Sequence, residues 1–558
     1  MRFEIGLLNN FHDEIRELKI NFEFQEDDEG NKLLIINNQR VSNLVNNGVL
    51  KASNLDKELH KYLEFGLVLL LNDSENSLTI YNDIYGAYPL FIDSKNKKKV
   101  IRNYFEFDKT RKLNEFAIVQ LIHFNHILGK NTLISDIERI QGGQKMVLNN
   151  EGIKLSSYFS WDDFLKATEK TISESSETLM TNAIEESKIL KFEPVLTLTG
   201  GFDSRLLFAL TRSKTDHFST ITWGAAKNTQ TSRAKEIASE FKIKHQEIEL
   251  GETFRNEVPR FLDYILSNGS ETPFITDIPQ FIYMCEQLND NTDLICGFMG
   301  SEIVRGPSYS SQVTLTKFAA DIGLATSKEQ IKNIIIEFNN RFPYISQEYI
   351  ERNMDQLIED YSVYSKINDC SKFKNANIFK YLFYEKFPKI YGPIICYHHN
   401  LNVNLINPYM DFKFIVKTLK ENKALSEMTP YENGSLNNFY SYRFYAKEIK
   451  KIHPELMHTK MDRGYKLKDL ISPFGIMKLI PYQVYRKFKK KNIAPVKVVD
   501  SNLWYADMIQ KNVEINSEEL KNVLNGTFIN ESCPKINTKT DLDKIKFQLI
   551  LGLLMKIK

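Results

Sequence analysis

The chain has 558 residues, 42% of them hydrophobic and 26% charged, an ordinary globular balance that argues against long-range disorder. One hydrophobic core does not grow to fill that length, so two or three domains are expected. Lys and Arg total 73 against 71 Asp and Glu, a net charge of +2, so no global field draws the protein to nucleic acid or anionic lipid.

The N-terminus, "MRFEIGLLNNFHDE", carries acids and no long apolar segment, which excludes a signal peptide. The longest apolar runs, at 65–71 and 549–555, fall far short of the roughly 20 residues that span a bilayer. A soluble, cytoplasmic protein without membrane insertion is expected. Cys285, Cys296, Cys370, Cys396 and Cys533 form no CxxC or CxxH pair, so they read as free thiols in a reducing compartment.

Residues 1 to about 160 are rich in strands. The runs at 32–37, 65–72, 77–83 and 88–93 are short, apolar or alternating, with turn residues between them. Residues 144–161 read as a hairpin turning on Asn-Asn-Glu-Gly. Near residue 165 the pattern changes to an amphipathic helix, then a short apolar run at 195–198 and a helix after Ser204. A strand at 218–224, a helix with Ala234, Ile237, Ala238 and Phe241 on one face, and an alternating strand at 245–250 follow. Strands separated by helices of this length indicate βαβ units and a parallel sheet, whose ligands bind beyond the carboxyl ends of the strands. After residue 310 the chain is mostly helical, most clearly at 327–342 and 410–425. The basic run at 485–492 reads as a solvated face or loop before an anion patch.

"TGGFDS" sits at one such strand end. Gly200 and Gly201 let backbone approach a bulky anion and allow positive φ if the turn demands it. The helix beyond turns unpaired N–H groups and its positive dipole end toward that loop. Thr199 and Ser204 offer hydroxyls, Arg205 pairs with phosphate or carboxylate oxygens, and Asp203 tolerates phosphate only with Mg²⁺ between them. A plain helix start capped by Asp203 or Ser204 explains part of the pattern but not two glycines. The Walker A spacing is absent.

"LTGGFDSR" resembles the SGGxDS pyrophosphate loop of the N-type ATP pyrophosphatases, in the asparagine-synthetase-like branch. Collinear segments carry the same resemblance. "YNDIYGAYPLFI" matches an Asp-x-x-Gly-x-x-Pro-Leu segment of the family's glutaminase-type domain through Asp83, Gly86, Pro89 and Leu90. Residues 132–148 are similar to the stretch closing that domain, with Gly-Gly where Pro-Gly is usual. "CGFMGSEIVRG" (296–306) resembles the family's second loop, SGxGxDExxxG, and 404–415 its R-x-P-F-L-D segment at Pro408 and Asp411. Residues 455–467 resemble a C-terminal loop of the branch.

The resemblance implies an α/β chain of two domains. Residues 1–160 would be a layered antiparallel β-sheet domain of Ntn-hydrolase, glutaminase-like type. Residues 170–558 would be a doubly wound parallel-sheet ATP-pyrophosphatase domain with a helical C-terminal part. It also implies an ATP-dependent, AMP- and pyrophosphate-forming amide ligase that adenylates a carboxylate. Implied nucleotide contacts are Leu198, Thr199, Gly200, Gly201, Asp203, Ser204, Arg205, Trp223, Cys296 and Gly297, with Mg²⁺ on Asp203 and Glu302. Lys466 is the implied catalytic cation, flanking "MDRG" with Lys460. Apart from the resemblance, Glu385 is the candidate general base, because its apolar and aromatic surroundings in "FYEKFPKIYG" would raise its pKa. Each has a plainer reading: Trp223 as core, Glu302 as a first-turn helix residue, the lysines as surface, and Glu385 as a helix-surface partner of Lys389.

Three positions depart from the family. Glutamine-hydrolysing members begin Met-Cys, but residue 2 is Arg2, which leaves no thiolate to attack glutamine. Ser301 stands where the second loop usually has Asp, and Phe298 where relatives place Glu or Tyr. The amine would then come from free ammonia or from a small-molecule or peptide substrate rather than glutamine, with a homodimer possible. A scaffold protein with degraded metal chemistry is the competing expectation. Modification of tRNA or bases is disfavoured by the lack of a CxxC or a basic domain.

Overall fold

The computed structural model describes residues 4–6, 24–27, 30–36, 38–72, 75–95, 99–105, 110–166, 172–188, 193–224, 229–267, 277–289, 292–305, 315–368, 376–421, 435–461, 465–472, 474–475, 477, 518–525 and 550. Arg2, Cys370, Cys533, the basic run at 485–492 and nearly all of the apolar run at 549–555 lie outside them. The chain is a mixed α/β protein built on antiparallel sheets and one parallel sheet.

The antiparallel part comes first. Strands β1 (Glu4–Gly6), β6 (Phe91–Asp93), β7 (Val100–Arg102) and β8 (Ile137–Arg139) form a four-stranded sheet in the order β1-β7-β6-β8. A second sheet has the order β10-β9-β5-β4-β3-β2, from β2 (Gln25–Glu26), β3 (Lys32–Ile36), β4 (Leu67–Asn72), β5 (Ser77–Asn82), β9 (Gln144–Asn149) and β10 (Gly152–Ser157). The hairpin register pairs Gly152 with Asn149, which places the turn on the predicted Asn-Asn-Glu-Gly.

Alternate residues of these strands serve different layers. Leu34, Ile36, Leu67, Leu69 and Ile80 pack with Leu90, Ile92 and Ile101 between the two sheets. Their neighbours Leu33 and Val68 face the helical layer of residues 39–63. Both faces are covered, so the run at 65–71 is uniformly apolar rather than alternating.

Asp83 anchors the connection into this part. Its carboxylate accepts backbone N–H bonds from Tyr85 (3.0 Å), Ala87 (2.9 Å) and Tyr88 (2.8 Å). Gly86 has φ +70°, and a Cβ there would lie 2.7 Å from Gly142 N. A Cβ on Gly142 would lie 2.4 Å from Tyr85 C, so a glycine at 142 is required by close backbone contact with the Asp83 turn, while Gly143, at φ +71°, sits against Phe159 O.

The parallel sheet has the order β13-β12-β11-β14-β15, from β11 (Val195–Thr197), β12 (Ser219–Gly224), β13 (Lys244–Glu249), β14 (Asp293–Ile295) and β15 (Asn404–Ile406). All four pairings are parallel. Leu196 and Ile295 pack on the side of helices Phe202–Lys214 and Thr229–Glu240. Ile221, Ile248 and Leu294 pack on the side of Glu252–Ser267 and Asp277–Cys285. Helices therefore cover both faces, as a doubly wound sheet requires.

The predicted helix near 165 divides: Trp161–Lys166 is one helix, and Ser176–Ser187 starts later because Ser175 caps it by accepting from Thr178 N. Helix Lys328–Arg341 begins after the cap Ser327, and Phe412–Glu421 occupies the predicted span at 410–425. Among the described residues no helix is long and apolar enough to cross a membrane.

The two parts meet through a buried seam. Tyr85 hydroxyl donates to Met410 O (3.1 Å), and a Cβ on Gly392 would lie 2.1 Å from Ala87 O. Arg40 pairs at 2.7 Å with Glu64, Glu186 and Asp411. One guanidinium cannot neutralise three carboxylates, and burial holds the Glu64 carboxyl above its usual range against the pull of Arg40. A raised acid takes up a proton on folding, so its contribution is full below the ordinary carboxylate value and is lost as pH rises through the folded value. Melting of the wild type should therefore weaken from pH 5 to pH 8 more steeply than that of Glu64→Gln. Parallel pH profiles would count against this.

Candidate functional site

The order of the parallel strands fixes where a ligand can sit. From β11 the chain adds β12 and β13 on one side, then returns to place β14 and β15 on the other. The connections diverge between β11 and β14, and in open α/β sheets the crevice at such a switch point, beyond the carboxyl ends, binds ligand. The segments leaving those two ends are Leu198–Gly201 and Cys296–Ser301. Of the sequence-predicted nucleotide contacts, Leu198, Thr199, Gly200, Gly201, Asp203, Cys296 and Gly297 gather here. Trp223 lies at the carboxyl end of neighbouring β12, half-buried and edge-on to Phe281 with ring centroids 5.2 Å apart.

Leu198 N donates to Ile221 O (2.9 Å) and holds the loop root to β12. Helix Phe202–Lys214 starts immediately after Gly201, whose φ of −81° and ψ of 178° are extended. The helix thus begins two residues before Ser204, and neither Asp203 nor Ser204 caps it. Neither glycine of the pair has positive φ; a Cβ on Gly201 would instead crowd Thr199 Oγ1 at 3.2 Å. Thr199 and Ser204 bond each other (Oγ1 to Oγ, 3.0 Å), and Thr199 Oγ1 also accepts from Gly201 N (3.2 Å). Their hydroxyls shape the loop rather than standing open.

Asp203 is the meeting point of four segments. Ser301 Oγ donates to its Oδ2 (2.7 Å), and the Tyr445 hydroxyl donates to its Oδ1. Tyr409 hydroxyl donates to its backbone O (2.9 Å). Gly297 and Gly300 press on it: added Cβ atoms would lie 3.3 Å from Asp203 Cβ and 2.9 Å from Oδ1. Between those glycines Met299 holds φ +62°, an uncommon conformation for a side-chain-bearing residue. Tyr409 and Tyr445, both fully buried, were not foreseen. Tyr409 had a signal, lying inside the "NPYMD" match; Tyr445 had none.

Asp203 is the residue here that a Mg²⁺ would use. Its Oδ2 lies 2.7 Å from Ser301 Oγ, a hydrogen bond whose proton lies along the line between the two oxygens. One cation could not sit on both oxygens with that proton between them, so it would take an Asp203 oxygen while Ser301 orients the carboxylate. Among the described residues no group of three or more His, Cys, Asp or Glu gathers around a metal position, so phosphate and water would complete the shell. Glu302 follows on the short helix Gly300–Arg305, half-buried; the bond to Asp203 comes from Ser301.

Arg205 does not face the loop. Two residues along a helix is a turn of about 200°, so once Asp203 faces the crevice Arg205 points the other way. It is fully buried, and its Nη1 and Nη2 donate to Thr459 Oγ1 and Lys460 O. Lys466 lies on the same segment, half-buried, bridged to Lys460 and with its backbone N donating to Asp469 (2.9 Å). The "MDRG" residues 462–464 between them lie outside the described residues.

Glu385 is not on a helix surface. It is fully buried on a π-helical turn, Leu382–Lys386, with its oxygens accepting from the Tyr364 hydroxyl and from Gly129 N (2.9 Å). Burial raises its pKa, opposed by Lys389, Tyr364, Gly129 and Arg139. None of those groups belongs to the crevice, so the structure does not bring this candidate base to Asp203. Phe298 packs on Phe281 and Tyr391 with centroids 4.5 and 4.9 Å away and offers no acid–base group. Cys296 is buried, and burial pushes its thiol up, so it stays unreactive.

The fold and site together define a mixed α/β protein whose glycine loop and Cys296–Ser301 segment meet at the switch point of its parallel sheet. No protein-family model and no curated protein matches the chain. Among solved structures, an allosteric regulatory enzyme of purine biosynthesis matches at 10% identity, with a TM-score of 0.15, over 40% of this chain and 62% of that one. The glutamine phosphoribosylpyrophosphate amidotransferase from B. subtilis, complexed with ADP and GMP, matches at 10% identity and a TM-score of 0.14, over 42% and 52%. The chain thus spans less than two thirds of either structure, and superpositions this loose carry no functional argument.

Proposed function

We propose that the chain is an ATP-dependent, AMP- and pyrophosphate-forming amide-bond ligase of asparagine-synthetase type, adenylating a carboxylate and passing it to an amine. In this reading residues 1–160 are a glutaminase-like domain inactive as a glutaminase, and residues 170–558 the synthetase domain. The observation that supports the reading is the switch point between β11 and β14, where Asp203, at the start of the glycine-loop helix, is bonded by Ser301 of the second loop.

In this reading the glycine loop and helix start cradle the phosphates, favoured by the dipole and by unpaired N–H groups. Asp203, with Glu302, would hold Mg²⁺, which would supply charge neutralisation between the phosphates and the incoming carboxylate. Lys466 provides the cation for charge developing at the attacked centre. The amine is free ammonia or belongs to a small-molecule or peptide substrate; nucleic acid and membrane insertion have no part, and a cytoplasmic homodimer is the proposed state.

One observation favours a second reading. Asp203 already accepts from two protein hydroxyls, so its charge is satisfied without a metal, as a scaffold that had lost its chemistry would permit. Calorimetric titration with ATP, with and without Mg²⁺, separates the two when combined with pyrophosphate release over a panel of carboxylates plus ammonium. The ligase reading expects Mg²⁺-dependent binding and release with at least one carboxylate. Binding without release across the panel selects the scaffold, and no binding at all removes both the nucleotide and the ligase.

A further inference from the structure

Each oxygen of the Asp203 carboxylate accepts from a hydroxyl, but the two sit in different surroundings. Ser301, on Oδ2, is half-buried, as Asp203 itself is. Tyr445, on Oδ1, is fully buried, and its hydroxyl also lies 3.1 Å from Gly300 O. Gly300 closes the same side, since a Cβ there would come 2.9 Å from Oδ1 and 3.0 Å from Tyr409 Cδ2. Oδ1 is thus the enclosed oxygen, and Oδ2, beside half-buried Ser301, the accessible one.

The Tyr445 ring is aimed by its own neighbours. It lies three residues after Tyr442 on helix Ser435–Ile452, so the two rings share a face. Phe202, the residue before Asp203, stacks on Tyr442 with centroids 4.7 Å and planes 8° apart, and meets Tyr445 at 5.4 Å. These ring contacts place the hydroxyl whatever it bonds. A buried phenol needs one partner, and Gly300 O would serve. The bond to Asp203 adds a charge-assisted hold on one particular carboxylate oxygen.

That hold bears on which cation the carboxylate suits. Mg²⁺ demands near-ideal octahedral geometry at about 2.1 Å, which a single carboxylate oxygen can meet. Ca²⁺ takes roughly six to eight oxygens in looser geometry and accepts both oxygens of one carboxylate. We infer that Tyr445 is a positioning residue for cation choice: by holding Oδ1 against Gly300 it leaves Asp203 a one-oxygen ligand through Oδ2, which favours Mg²⁺ over Ca²⁺. The inference rests on the nucleotide reading above and goes beyond it, because that reading asks for a cation on Asp203 without saying what selects it.

Calorimetric titration of the full chain with ATP, once in Mg²⁺ and once in Ca²⁺, tests this. The wild type should bind ATP at least about tenfold more tightly in Mg²⁺. Tyr445→Phe keeps the ring contacts with Phe202 and frees Oδ1, so the carboxylate can turn and offer both oxygens. Its affinity in Mg²⁺ should fall on the order of tenfold, the scale of losing an outer-shell partner, while that in Ca²⁺ holds or rises. Ser301→Ala leaves Oδ1 pinned, so both affinities should move together. A merely structural role for Tyr445 would lower both affinities in parallel in Tyr445→Phe, and that result overturns the inference. So does a wild type that binds ATP equally well with either cation, a comparison that needs no variant to fold. A wild type that binds no ATP with either cation overturns the nucleotide reading first, and the inference with it.

Discussion

Asp203→Asn should weaken Mg²⁺-dependent ATP binding on the order of 100-fold, the scale on which metal sites respond to loss of a supporting group. The change is nearly isosteric, so the interlock of Ser301, Tyr445 and Gly300 around the side chain keeps its shape. It removes the charge that would draw a cation to this side chain, and it turns one acceptor into a donor facing a donor hydroxyl. Either hydroxyl can rotate, which confines the stability loss to about 1–3 kcal/mol. Calorimetric titration at fixed Mg²⁺ reads the affinity and a thermal melt reads the fold. Wild-type affinity in Asp203→Asn would count against a cation held on this side chain.

Gly300→Ala should be the more damaging of the two. Its Cβ would come 2.9 Å from Asp203 Oδ1, 3.0 Å from Cγ and 3.0 Å from Tyr409 Cδ2. Neither neighbour can retreat: Asp203 is held by Ser301 and Tyr445, and Tyr409 is fully buried. The loop from Cys296 to Ser301 must shift, or Asp203 must leave its rotamer. We expect nucleotide binding to disappear and about 1–3 kcal/mol of stability to be lost, the usual result of overpacking. Gly251→Ala is the control, because a Cβ there meets nothing within 4 Å. Equal behaviour of the two variants would show that the close packing at Gly300 does not matter.

The sheets were readable because their signals are local. Strand–helix alternation after residue 194 carried the parallel sheet, turn chemistry carried the hairpin at 149–152, and the glycine pair fell at the end of the central strand. What escaped was direction and long-range pairing. Arg205 read as a phosphate partner because arginine is expected near a surface, although its spacing from Asp203 already placed it on the other side of the helix. Ser301 read only as a departure from the usual Asp, whereas its hydroxyl bonds Asp203 across 98 residues of sequence. Tyr445 lies further off still, on a helix whose pattern says only which face is apolar. Glu385 was correctly expected to have a raised pKa, but its neighbours come from Tyr364 and Gly129, which no periodicity could join.

The seam around Arg40 has a practical meaning for anyone who cuts this chain in two. A fragment ending near residue 160 would keep Arg40 and Glu64 but forfeit Glu186 and Asp411, and Tyr85 would lose its acceptor on Met410. The complementary fragment would lay bare the patch that Ala87 presses against Gly392. Each piece would carry sticky, half-satisfied surface into solution, so the natural unit for expression and crystallisation is the intact polypeptide.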